Sequence, residues 1–196
     1  MDSDIGIFGG TFDPPHIGHV AAAERCRLAL GLRRVLFVVA NDPWQKSGER
    51  PPSSASDRLA MVKEALEGFD GLEVCDLEVR RGGPSYTIDT VEELARTEGV
   101  HSPWVIVGAD LSTTLDTWHR AGELASLVHI AVLSRPGSPL VLPAGWRSVA
   151  VASDELDVSS SLIRSRVQSG EDIGDLCASG VVHHIAAKHL YIENQR

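Results

Sequence analysis

Val35-Leu-Phe-Val-Val-Ala40 is an unbroken apolar run dominated by β-branched residues. A strand with one wet face alternates apolar and polar positions. A run with no polar position suits a strand covered on both faces, as in a parallel sheet. Asp4-Ile-Gly-Ile-Phe8, Trp104-Val-Ile-Val107 and His129-Ile-Ala-Val-Leu133 read alike, with shorter strands near Leu72 to Cys75 and Trp146 to Val151. Between them lie segments that can be helical: Ile17 to Leu30, a stretch capped by Ser56 or Asp57 and running to about Glu67, and Thr87 through Ala95. Two more follow, one capped by Ser159 or Ser160 and reaching Gln168, the other from Val181 to Tyr191. Asn41 to Ser54 and Arg80 to Pro84 read as loops.

Strands alternating with helices imply right-handed βαβ units. The expected fold is α/β, a doubly wound Rossmann-like parallel sheet flanked by helices. We expect one domain over 1–196, with 158–196 a small C-terminal helical part. Ligands of such sheets bind beyond the carboxyl ends of the strands. The loops that open there, 9–19, 41–46, 108–110 and 134–137, also hold the unusual residues.

Charge narrows the partners. Lys+Arg number 18 against 27 Asp+Glu, a formal net charge of -9. Nucleic-acid binders neutralise phosphates with excess positive charge, so no nucleic-acid partner is expected. The three cysteines are far apart and form no CxxC pair, which fits free thiols in a reducing compartment. No apolar run is long enough to span a bilayer, and no basic start leads into one. The reading is a cytoplasmic protein without a membrane partner; assembly into a homo-oligomer is left open.

The segment Gly9-Gly-Thr-Phe-Asp-Pro-Pro-His-Ile-Gly-His19 follows the first strand. Its glycines permit close backbone approach to a ligand, and its prolines fix the chain before a helix start. His16 and His19 share one face of a first helical turn, with Gly18 between them. Open N–H groups at that helix end suit phosphate. Neither GxGxxG nor GxxxxGK[ST] occurs, which argues against a dinucleotide dehydrogenase and a P-loop NTPase. HExxH is absent too, and no metal ligands are assigned. A second polar helix start, Val158-Ser-Ser-Ser-Leu-Ile-Arg164, offers hydroxyls and a guanidinium fork.

Together these two segments resemble the signatures of the nucleotidyltransferase α/β-phosphodiesterase superfamily, the HxGH element and a motif like I-S-S-T-x-I-R. Arg81-Gly-Gly-Pro-Ser-Tyr-Thr-Ile-Asp-Thr90 and Gly108-Ala-Asp-Leu-Ser-Thr-Thr-Leu-Asp-Thr-Trp-His-Arg120 resemble segments of the nicotinate mononucleotide adenylyltransferases. Ser134-Arg-Pro-Gly137 and Leu190-Tyr191 are similar as well, so the resemblance spans roughly Asp4 to Tyr191. The Trp44-Gln-Lys46 loop is most similar to actinobacterial members. Departures are Ser161 for a usual Thr, Pro15 for an aliphatic residue, His184 for an aromatic, and Trp44-Gln45 where many members carry Pro-His before the lysine.

The resemblance implies ATP and nicotinate mononucleotide as substrates, with Mg²⁺ carried on the ATP phosphates. It implies that His16 and His19 act at the α-phosphate as charge builds there. Lys46 and Arg164 would hold the β- and γ-phosphates, assisted by Ser160 and Ser161. Gly9, Gly10, Thr11 and Phe12 would lie along phosphate and ribose. Gly108 and Asp110 would lie near the adenosine, with Ser134 and Arg135 at the adenine. The pyridine ring would stack on Trp118, and N–H groups around Thr87 and His119 would meet its carboxylate. Alternatives in other directions are transfer to phosphopantetheine or nicotinamide mononucleotide, cytidylyl transfer, and a non-catalytic nucleotide sensor.

Overall fold

Ile5–Gly10, the first strand (β1), sits at the centre of a six-stranded sheet. The computed structural model describes residues 4–42, 51–134, 141–153 and 156–192. The other strands are β2 (Arg34–Val39), β3 (Leu72–Cys75), β4 (Trp104–Gly108), β5 (His129–Ser134) and β6 (Ser148–Ala152). They run in the order β3-β2-β1-β4-β5-β6, and every pairing is parallel. The order reverses between β1 and β4, which opens a crevice at their carboxyl ends.

The apolar run of β2 shows why the sheet must be covered twice. Val35, Phe37 and Val39 point into one core cluster, while Leu36 and Val38 point into the other. β4 and β5 divide in the same way, with Ile106 and Ala131 on the first side and Val105, Val107, Ile130 and Val132 on the second. The first side is covered by α1 (Ile17–Ala29), α2 (Ala55–Ala65), α7 (Ser160–Ser169) and α8 (Ser179–Ala187). The second is covered by α4 (Thr87–Glu98) and α6 (Ala121–Leu127). Short helices α3 (Leu77–Arg81) and α5 (Ala109–Ser112) and a 3₁₀ turn at Leu115–Thr117 lie in the connections.

Several boundaries differ from the sequence expectation. Helix α2 is capped by Ser54, whose Oγ accepts the Asp57 N–H at 3.1 Å; Asp57 is a first-turn residue rather than the cap. Arg80 and Arg81 belong to a helix and not to a loop, and that helix stops where Gly82 and Gly83 take φ of 70° and 69°. A helix of five residues shows no period to read. Thr87 is the first helical residue of α4, and its cap is Tyr86. Helix α8 ends at Ala187, because the chain then turns through positive φ at His189 and Tyr191.

Candidate active site

The crevice at the sheet's reversal is a cavity of about 440 Å³. Its floor is Ile7 to Phe12 and Val105 to Val107; its walls include His19, Ser85, Tyr86, Thr87, Thr90, Asp110, Trp118, His119 and Ser160. Thus His19, Gly9, Gly10, Thr11, Phe12, Asp110, Ser160, Thr87, Trp118 and His119 share one cavity. His16, Gly108, Ser134, Ser161 and Arg164 stand outside its wall. Lys46 and Arg135 lie outside the described residues.

The loop between β1 and α1 is packed before any ligand arrives. Phe12 holds a φ of 50° and buries its ring over Gly10, where an added Cβ would come within 2.8 Å of that ring. At Gly9 the same Cβ would enter open space. The two glycines therefore serve different ends, one for packing and one for an unobstructed approach. Phe12 meets His19 edge-on at 5.1 Å between ring centroids, and His16 stacks on His19 at 3.7 Å. The backbone N–H of His16 donates to His19 Nδ1 at 3.2 Å. On a neutral ring that bond leaves the proton on Nε2.

His16 is the deeper of the pair, and an added Cβ on Gly18 would lie 3.0 Å from its Nδ1. Burial lowers its pKa from 6.5 to about 4. The ring is neutral at pH 7, so it adds no positive charge to the site.

Arg58 was not anticipated. It lies on the buried stripe of α2 with Met61, Val62 and Ala65, at the spacing of one helix face. That spacing is the signal that could have found it: an arginine at a core position needs a reason. Its guanidinium donates to Thr11 O at 2.9 Å, Ala40 O at 2.6 Å, Asn41 O at 3.2 Å and Ser53 O at 2.9 Å. It thereby ties the loop after β1 to the loop after β2.

The second motif closes over the first. Ser159 caps α7 by accepting the Leu162 N–H at 3.1 Å. Ser160 Oγ donates to Pro14 O at 2.8 Å, and Arg164 donates to Asp13 O at 2.9 Å and Ser161 Oγ at 3.1 Å. Asp13 also accepts the Tyr191 hydroxyl at 2.7 Å and the Ser53 N–H at 3.2 Å.

The far wall is built from α4 and the segment after the 3₁₀ turn. Tyr86 provides no side-chain cap to α4, so that helix start presents open N–H groups where Tyr86 and Thr87 line the cavity. Tyr86 stacks on His119 at 4.3 Å. The buried Trp118 Nε1 has no hydrogen-bond partner among the described residues. Arg120 grips Glu92 of α4 with two bonds, at 2.7 and 3.0 Å, which anchors the Trp118 segment to that helix. Glu78, also unanticipated, lines the same cavity at 7% exposure.

A phosphate-suited loop at the reversal of an open parallel sheet defines an α/β protein with a nucleotide-type ligand site. The family model described as cytidylyltransferase-like matches residues 7–166. A probable nicotinate-nucleotide adenylyltransferase of Herpetosiphon aurantiacus is 40% identical over 197 residues, covering 96% of this chain and 98% of its own. Another, of Saccharopolyspora erythraea, is 37% identical over 95% of this chain and 89% of its own. The chain belongs to the cytidylyltransferase-like family, in the branch of the nicotinate-nucleotide adenylyltransferases. The fold agrees with a Plasmodium falciparum nicotinic acid mononucleotide adenylyltransferase complexed with NaAD, at TM-score 0.81, 16% identity and 100% coverage of both chains.

Two outcomes follow from this geometry. The folded pKa of His16 lies below its unfolded value, so its stabilising contribution is complete above about pH 6.5 and is lost as pH falls toward 4. At pH 5 the loss from this group is about 2 kcal/mol. Urea midpoints at pH 7 and pH 5 should differ less in His16→Asn than in the parent; equal differences would contradict the assignment. Arg58→Met should lower unfolding stability by about 2–4 kcal/mol, because buried carbonyls lose their donors. A midpoint within error of the parent's would show that those carbonyls find other partners.

Proposed function

We propose that the protein transfers the adenylyl group of ATP to nicotinate mononucleotide, giving nicotinate adenine dinucleotide and pyrophosphate. One observation carries this reading: the Gly9–Phe12 loop with His19 and the Tyr86–Thr87–Trp118 wall face into a single cavity. A nucleotide phosphate and an aromatic acceptor can therefore meet there.

A phosphate oxygen of the mononucleotide attacks the α-phosphorus of ATP in line. One P–O bond forms, the bond to the β-phosphate bridging oxygen breaks, and pyrophosphate leaves with the electron pair. The nucleophile is already anionic, so no general base is needed. Catalysis is positioning plus stabilisation of developing charge. His19 donates from Nε2 to the α-phosphate, while neutral His16 backs its ring and fixes its tautomer through the backbone bond. Arg164 and Lys46 serve the β- and γ-phosphates, with Ser160 and Ser161 at the α7 start. Gly9, Gly10, Thr11 and Phe12 follow the phosphate and ribose. Gly108 and Asp110 meet the adenosine, and Ser134 and Arg135 the adenine.

Among the described residues no group of three or more His, Cys, Asp or Glu side chains converges as a metal site. A Mg²⁺ carried on the ATP phosphates would neutralise charge on the leaving pyrophosphate.

The pyridine ring stacks on Trp118. Its carboxylate meets the open N–H groups at the start of α4, around Thr87, and the backbone at His119. The uncapped start and dipole of α4 favour an anion there, with Asp89 of the first turn and Glu78 of the cavity wall as the carboxylates that oppose it. The acid should therefore be preferred over nicotinamide mononucleotide.

His19→Ala should lose ~100-fold or more in turnover, the value of one transition-state contact of about 2.7–4 kcal/mol. An unchanged turnover would remove His19 from the mechanism. Pyrophosphate release measured with the acid and the amide side by side should favour the acid strongly. Activity with the amide alone would overturn the specificity. Silence with both, with phosphopantetheine and with CTP as donor would support a nucleotide sensor.

A further inference from the structure

The cavity has an unexpected charge. Among the described residues lining it, no lysine or arginine occurs, and the formal charges at neutral pH are those of Glu78 and Asp110. Asp110 is accounted for by the adenosine in the proposed reading. Glu78 is an additional carboxylate on the acceptor side, beside Ser85 and Thr90.

Its partners hold it as an acceptor. Thr90 Oγ1 donates to Glu78 Oε1 at 2.6 Å, and Ser85 contributes a second side-chain hydrogen bond. Ser85 Oγ in turn accepts the Asn41 N–H at 2.9 Å, which directs the hydroxyl proton toward Glu78. Burial and the nearby charge of Asp89 raise the Glu78 pKa, and the two hydroxyls and Arg81 offset that shift only in part, so an anion here gains from any cation brought into the cavity. Arg81 lies 4.0 Å from Glu78 but bonds Glu93 at 3.0 Å. Arg81 also donates to Thr90 Oγ1 at 3.2 Å, so one guanidinium shared by two carboxylates leaves Glu78 without a full counter-charge among the described residues.

A buried anion beside a pocket for a carboxylated ligand is costly unless the ligand also brings a cation there. A pyridine ring joined through nitrogen to ribose is such a cation. We propose that Glu78 is a specificity-determining residue that complements the positive charge of the acceptor's pyridinium ring. This rests on the reading that nicotinate mononucleotide is the acceptor. The pocket then matches both halves of a zwitterion: the open α4 start takes the carboxylate, and Glu78, with the π-face of Trp118, takes the ring.

The test compares two acceptors with ATP and Mg²⁺. One is nicotinate mononucleotide. The other is 3-carboxyphenyl riboside 5′-phosphate, which keeps shape and carboxylate but has a neutral ring. The parent protein should favour the charged ring in kcat/KM by about tenfold or more. Glu78→Gln should lose about tenfold with the charged ring and little with the neutral one, with the KM for ATP unchanged. Thr90→Val, which keeps the carboxylate but removes one hydroxyl that holds it, should weaken the ring preference less than Glu78→Gln does. Equal use of both rings by the parent, or an equal loss with both in Glu78→Gln, would overturn the proposal and leave Glu78 a purely positioning residue. Should Glu78→Gln fail to fold, Glu78→Asp must show a reduced ring preference, and an undiminished one would count against the idea. A parent protein inactive with nicotinate mononucleotide would instead refute the acceptor reading itself, and this proposal with it.

Discussion

The Arg58 guanidinium is the interaction on which the site's geometry rests. Loops that leave the carboxyl ends of parallel strands have carbonyls with no ladder partner. Around β1 and β2 those carbonyls converge, and the fully buried Arg58 supplies donors for Thr11, Ala40, Asn41 and Ser53. Removing a guanidinium from water lowers its pKa, and the neighbouring charge of Asp13 works against that shift. Asp13 is itself held by Tyr191 and by the Ser53 backbone. Segments far apart in the chain thus meet at one turn. The backbone that faces the phosphates in the proposed reading is thereby fixed by the fold itself, as electrostatic preorganisation requires.

In the proposed reading this is how an acidic chain presents itself to polyanions. Net charge is a long-range property and is screened within about 10 Å at moderate salt. In the proposed reading the described part of the cradle relies on short-range groups, the His19 ring and the Gly9–Phe12 backbone, with Arg164 at the edge already tied to Asp13 O and Ser161 Oγ. His16, neutral through burial, adds packing and orientation but no charge. The same economy of cations makes the carboxylate of Glu78 conspicuous on the acceptor side.

Much of the fold was legible because β2, β4 and β5 are buried on both faces and read as continuous apolar runs. The strand order was not legible; it depends on how crossovers stack, which no local pattern records. Helix ends slipped for local reasons. Ser54 displaced Ser56 and Asp57 as the cap of α2, and Gly82 defined the end of a helix too short to show a period. The Gly9–His19 loop was legible because glycine and proline state backbone geometry directly. Glu78 was not, since a lone carboxylate in a charged sequence gives no sign that its helix faces a cavity. Arg58 was half legible: the helical spacing placed it inward, but its partners come from loops without regular structure.

The two halves of the cavity are joined through Asn41. Its carbonyl accepts Arg58, its N–H donates to Ser85 Oγ, and its side-chain amide donates to Gly83 O at 3.0 Å. Ser85 passes the chain on to Glu78, and Thr90 returns it to α4. A run of hydrogen bonds therefore connects the carbonyls behind the Gly9–Phe12 loop to the start of α4, the two places where the proposed reading puts phosphate and acceptor. In-line transfer needs an attacking oxygen and a phosphorus from different molecules to align within tenths of an ångström, and misplacement is costly. Two independently hinged loops would leave that alignment to chance. A shared residue at the end of β2, fixed from both sides, makes the spacing between donor and acceptor a property of the sheet.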